Sequence, residues 1–215
     1  NNGDVTGLHN NSQDVWVVKL NYLGQIEWQK CYGGSSNDFA NKIIPSNDGG
    51  FYVSATTYSN DYDVTGQHGS NDFWIFKADS IGTIQWQKCL GGASFESSEA
   101  ANITSDGGFI LSGIAMTDNG MVSGTHGFDD CWVVKIDSIG NFEWGKALGG
   151  TGMDRAYSVS ETLDGGYVVV GNTTSTDGDV TSNHGSEDLW VVKLSPPGLS
   201  VPEMQNTIMD LNISQ

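Results

Sequence analysis

Asp72-Phe73-Trp74-Ile75-Phe76-Lys77-Ala78 is one of four copies of a single segment. The others are Asp14-Val15-Trp16-Val17-Val18-Lys19-Leu20, Asp130-Cys131-Trp132-Val133-Val134-Lys135-Ile136 and Asp188-Leu189-Trp190-Val191-Val192-Lys193-Leu194. They begin at 14, 72, 130 and 188, a step of 58 residues each time. Self-similarity at a fixed period of roughly 20–50 residues marks solenoids, propellers and arrays, and this unit lies just beyond that range. The chain reads as a tandem array.

Other markers keep the same step. Gly24, Gly82 and Gly140 precede Trp28, Trp86 and Trp144, and then come Gly33-Gly34, Gly91-Gly92 and Gly149-Gly150. Asp48-Gly49-Gly50, Asp106-Gly107-Gly108 and Asp164-Gly165-Gly166 form a third ladder. His9, His68, His126 and His184 form a fourth, with His9 offset by one residue inserted before Asp14. All seven tryptophans, Trp16, Trp28, Trp74, Trp86, Trp132, Trp144 and Trp190, are repeat positions and so belong to the repeat core.

Each unit holds four strand-like segments. The Trp-Val-Val-Lys run is β-branched and aromatic, and a polar turn ending in Gly24, Gly82 or Gly140 leads into a second run around Trp28, Trp86 or Trp144. A weaker segment lies near 39–45, 97–103 and 155–161; Asp-Gly-Gly then opens a fourth run at Phe51, Phe109 and Tyr167. Asp-Gly between two such runs is the strongest short hairpin indicator, because the turn demands positive φ.

Four antiparallel strands per unit is the arithmetic of a propeller blade. The expectation is an all-β protein, a β-propeller of 58-residue four-stranded repeats whose ring is incomplete in this chain. A right-handed β-helix or another β-solenoid is the alternative. Tandem repeats span 1–194, as a partial blade at 1–34, blades at 35–92 and 93–150, and a partial blade at 151–194. Pro202 stands where the other units hold tryptophan, so 195–215 reads as a linker or edge strand.

Composition narrows the partners. The 26 acidic and nine basic side chains give a formal charge of −17, which repels nucleic-acid backbones and anionic lipid heads. Such an excess suits solubility, repulsion between copies, or recruitment of divalent cations. No run of 18 apolar residues occurs, so membrane insertion is not expected. The polar start Asn1-Asn2-Gly3-Asp4, without an initiator methionine, is that of a processed or excised chain. Cys31, Cys89 and Cys131 offer no paired framework and read as small buried hydrophobes.

The order of glycines, apolar strands and tryptophans resembles blades of the pyrroloquinoline-quinone-type superfamily, in which a tryptophan near the end of the outer strand docks between blades. Units such as Asp164-Gly165-Gly166-Tyr167-Val168-Val169-Val170-Gly171 and Gly178-Asp179-Val180-Thr181 also resemble repeat proteins secreted by Bacteroidota. That resemblance implies a secreted or cell-surface location through type IX secretion, with 195–215 leading to a sorting domain outside the chain. Ser80 and Ser138, in Asp79-Ser80-Ile81 and Asp137-Ser138-Ile139, match the short O-glycosylation sequence of that phylum.

Several groups invite a chemical reading. Asp61, Asp63, Asp177 and Asp179 alternate as carboxylates do when they present oxygens to calcium, although turn chemistry accounts for the same residues. Each histidine either ligates a metal or bonds its own loop and the aspartate that follows it. Asp38, Glu96 and Asp154 follow the double glycines and either line a channel or stay equivalent by repetition; Arg155, the single arginine, sits beside Asp154. No nucleophile elbow, P-loop or dinucleotide fingerprint occurs. The expected function is a non-catalytic module that binds or displays a glycan or protein, with no cofactor beyond calcium. The alternative is a structural subunit self-associating through open sheet edges, and a channel-sited hydrolase or lyase ranks third.

Overall fold

The computed structural model describes residues 3–196, and within them every regular element is a β-strand. Thirteen antiparallel strands form four separate sheets. The first sheet holds β1 (Val15–Leu20) and β2 (Ile26–Tyr32). The second runs β3 (Asp38–Pro45), β4 (Phe51–Thr57), β5 (Asp72–Ala78), β6 (Ile84–Leu90) in spatial order. The third repeats it with β7 (Glu96–Ile103), β8 (Phe109–Ala115), β9 (Asp130–Ile136) and β10 (Phe142–Leu148). The fourth has β11 (Asp154–Glu161), β12 (Tyr167–Thr173) and β13 (Asp188–Leu194). Among the described residues the sheets do not close a ring. The expected linker and edge strand lie, from 197 onward, outside the described residues.

Alternation explains how the sheets stack. Neighbouring residues of a strand point to opposite faces, so β5 sends Trp74 and Phe76 one way and Phe73 and Ile75 the other. Trp74 and Phe76 pack with Val15 and Val17 of the first sheet. Phe73 and Ile75 pack with Phe109, Leu111 and Trp132 of the third. The third sheet meets the fourth in the same way, Cys131 and Val133 lying with Val169, Trp190 and Val192. A strand with two apolar faces is what a middle layer needs, whereas a half-buried sheet keeps one polar face.

The outer-strand tryptophans couple each sheet to the next. The Trp28 indole donates to the carbonyl of Ser80 (3.3 Å), while Lys30 Nζ (2.9 Å) and the Tyr32 hydroxyl (2.7 Å) both donate to the carbonyl of Gly82. A Cβ on Gly82 would stand 2.6 Å from that hydroxyl, so the turn must be glycine twice over, for its φ of 77° and for space. Trp86 and Lys88 pack as closely on Gly140, 2.9 Å and 2.8 Å from where a Cβ would stand.

The Asp-Gly-Gly hairpins form where expected but are not two-residue turns. Gly49 N–H donates to the carbonyl of Ser46, only Gly49 takes positive φ (83°), and Asp48 keeps an ordinary backbone. This is a wider turn with the glycine at its left-handed position. Asp48 is thereby free to accept from the amide of Gly50 (3.0 Å) and to pair with Lys77, as Asp106 pairs with Lys135 and Asp164 with Lys193. The lysine beside each Asp48 and Asp106 holds that carboxyl down, to about 2.

Candidate functional site

One end of the stack carries the double-glycine loops and the long loops after β4, β8 and β12. Three consecutive amides there each meet a carboxylate. Gly33 N–H donates to Asp63 (3.3 Å), Gly34 to Asp38 (2.8 Å) and Ser35 to Asp61 (2.7 Å). Gly149, Gly150 and Thr151 repeat the pattern with Asp179 (3.2 Å), Asp154 (2.8 Å) and Asp177 (2.7 Å). Successive N–H groups in such a loop make an anion-binding concavity, which the chain's own acids occupy.

Asp61, Asp63, Asp177 and Asp179 therefore have a structural use; the Ser35 hydroxyl and then its amide lower the pKa of Asp61, and the Thr151 amide and then its hydroxyl lower that of Asp177. Among the described residues no group of three or more ligating side chains is set to hold a metal ion. In the middle unit Asn119 takes the place of Asp61 and accepts from the amide of Ala93.

Asp38 and Asp154 do not line a channel. Both are buried, Asp38 accepting from the hydroxyls of Thr57 and Ser59 (2.9 Å), and Asp154 from those of Thr173 and Ser175 (2.7 Å). Glu96 is buried too, but Ala115 stands where Thr57 and Thr173 stand, and Glu96 Oε1 has no partner among the described residues. Burial, with the charge of Asp72 adding to it, pushes Glu96 up to about 7. Arg155 does not pair with Asp154, because neighbours on a strand face opposite ways; its guanidinium binds Asp129 at 2.7 Å instead.

The histidines follow the structural option. His9 Nδ1 lies 2.9 Å from Asp14 and His68 Nδ1 2.7 Å from Asp72, while the amides of His68 and His126 donate to Asp72 (3.1 Å) and Asp130 (2.6 Å). Cys89 and Cys131 are buried, Cys31 is partly so, and all three are free thiols raised chiefly by burial. Ser80 and Ser138 are exposed on their turns.

What the sequence reading passed over is aromatic. Tyr62 adopts φ of 52°, in the register where the other units hold Gly120 (59°) and Gly178 (64°). A bulky side chain at positive φ is an outlier with a conformational cost. Its ring leans on His9 (centroids 4.7 Å apart) yet remains 63% exposed. Phe39 and Tyr58, also exposed, meet edge to face at 6.1 Å on the same end of the second sheet. Their equivalents are Ser97 and Met116, then Arg155 and Thr174, so repetition does not demand these rings. Aligning the units would have exposed the anomaly: an aromatic in a glycine register.

No protein-family model matches the chain. None of the curated proteins matches it either.

At the opposite end, a cleft of about 690 Å³ is lined by Ser105, Glu161, Leu163 and Asp164, where Glu161 accepts from the Ser105 hydroxyl (2.8 Å).

Proposed function

We propose that this chain belongs to a non-catalytic, secreted or cell-surface β-propeller and binds a glycan through its loop end. Four-stranded sheets stacked face to face, with outer-strand tryptophans seated on the next sheet's turn, support the propeller reading. The resemblance of the units to proteins secreted by Bacteroidota supports the location. The repeated acids and histidines serve loop hydrogen bonds, which supports binding rather than catalysis.

Tyr62 carries the ligand assignment. A strained backbone is retained where glycine would relieve it, and what the strain presents is a flat, exposed ring bordered by hydrogen-bonding groups. Such a surface suits a sugar ring, which offers an apolar C–H face and polar edges. Sites of this kind combine aromatic area with a few placed polar groups. A protein ligand is the second choice, since a concave pocket is not required for it.

The test is a glycan array probed with the labelled chain and with Tyr62→Gly. We expect hits that fall at least tenfold in affinity in the variant, about 1.4 kcal/mol. Its thermal stability should change by less than about 1 kcal/mol, because relief of φ strain offsets the lost contact with His9. Hits of equal strength for both proteins would remove Tyr62 from the site.

A further inference from the structure

The two ends of the stack are each other's complement. At every internal junction, the face of one sheet that carries Val15 and Val17, Phe73 and Ile75, or Cys131 and Val133 is covered by the tryptophan face of the next. On the last sheet the same register holds Leu189 and Val191, and these are 69% and 41% exposed. Val170, the cross-strand partner of Val191 on β12, extends this apolar face inward, while the polar Asn172 lies opposite Leu189. On the first sheet the tryptophan face is left bare by the described residues: Trp16 is 43% exposed, against 0% for Trp74 and Trp132, and Leu20 is exposed beside it.

We infer that a second copy of this chain seats its Trp16 face on the Leu189–Val191 face of the first, continuing the stack head to tail. The observations favour this occupant because the chain displays, three times within itself, how one face receives the other. The contact is between sheet faces, with no need for strands to pair across their edges. It uses two different patches, so it is heterologous: it closes into a ring if the rotation per sheet allows and otherwise runs on. The inference does not depend on the glycan assignment, which concerns the loop end.

Sedimentation of the intact chain across a concentration series tests it. Association that strengthens with concentration is expected. Val191→Asp and Trp16→Glu should each abolish it, since one spoils the tail face and the other the head face. A mixture of the two variants should restore one discrete species, a 1:1 dimer, because each still owns the face the other lacks. A wild-type chain that stays monomeric to the limit of its solubility would overturn the inference, whether its own residues 197–215 or nothing at all covers the tail face. Association undiminished in both variants would overturn it too. Wild-type sedimentation decides the matter even if a variant fails to fold.

Discussion

Glu96 shows how one exchange unsettles a repeated network. Asp38 and Asp154 each receive two hydroxyls and one amide, whereas Glu96 receives the amide of Gly92 (2.8 Å) and leaves one oxygen unpartnered. An unsatisfied buried acceptor is costly, more so when it is ionised and Asp72 lies beside it. The folded protein therefore holds the Glu96 proton up to about 7, against an ordinary 4.5. The folded state binds this proton more tightly than the unfolded one. Its contribution to stability is complete below pH 4.5, declines as pH rises to about 7 and is flat above. Denaturant melts should show Glu96→Gln more stable than wild type near pH 8 by roughly 1–2 kcal/mol, with the advantage gone near pH 4. An advantage independent of pH would mean that packing, not the proton, is responsible. Repeat spacing placed Glu96 in line with Asp38 and Asp154, but its charge state depends on burial and on Ala115, and neither follows from spacing.

At the scale of elements, the turns separate two uses of glycine. Gly24, Gly82 and Gly140 share φ values of 76°, 77° and 84°. A Cβ on Gly24 would meet nothing within 4 Å, while one on Gly82 would meet Tyr32 at 2.6 Å and one on Gly140 would meet Lys88 at 2.8 Å. Replacement by alanine should thus cost about 1 kcal/mol at Gly24, for conformation alone. At Gly82 or Gly140 the cost should reach about 2–4 kcal/mol, since the tryptophan latch must shift as well. Equal losses in chemical denaturation would show that docking contributes little. Strands β3, β7 and β11 add a feature that the repeat spacing does not reveal. Each carries one register irregularity, between Ala40 and Lys42, Ser98 and Ala100, or Ala156 and Ser158, and the residues passed over are Asn41, Glu99 and Tyr157. A bulge of this kind bends the strand and re-aims a side chain, and its repetition makes it part of the unit's design.

For the whole molecule, stability should be graded along the stack. Repeat arrays behave as units coupled to their neighbours. The second and third sheets are buried on both faces, whereas the first and last are covered on one side only. Hydrogen exchange read by mass spectrometry should find β5, β8 and β9 slowest, with β1, β2 and β13 opening first. Uniform protection would indicate a single cooperative block. Saturating the bare faces through self-association should slow exchange in β1 and β13 specifically.

Much of this was written in the chain itself. The step of 58 residues, the four strands of each full unit, the hairpin positions and the His–Asp pairing at His9 and His68 all follow from residue spacing and side-chain chemistry, because they are local or copied from unit to unit, whereas of the tryptophans at the Trp-Val-Val-Lys position Trp74, Trp132 and Trp190 are buried and Trp16 is not. Tertiary structure alone decided which carboxylate meets which amide, that Arg155 turns to Asp129, that Tyr62 is strained and exposed, and that Trp16 on the first sheet and Leu189 and Val191 on the last are exposed. Those outcomes depend on which sheet covers which, and a period along the chain says that units repeat without saying what stands against the first and the last.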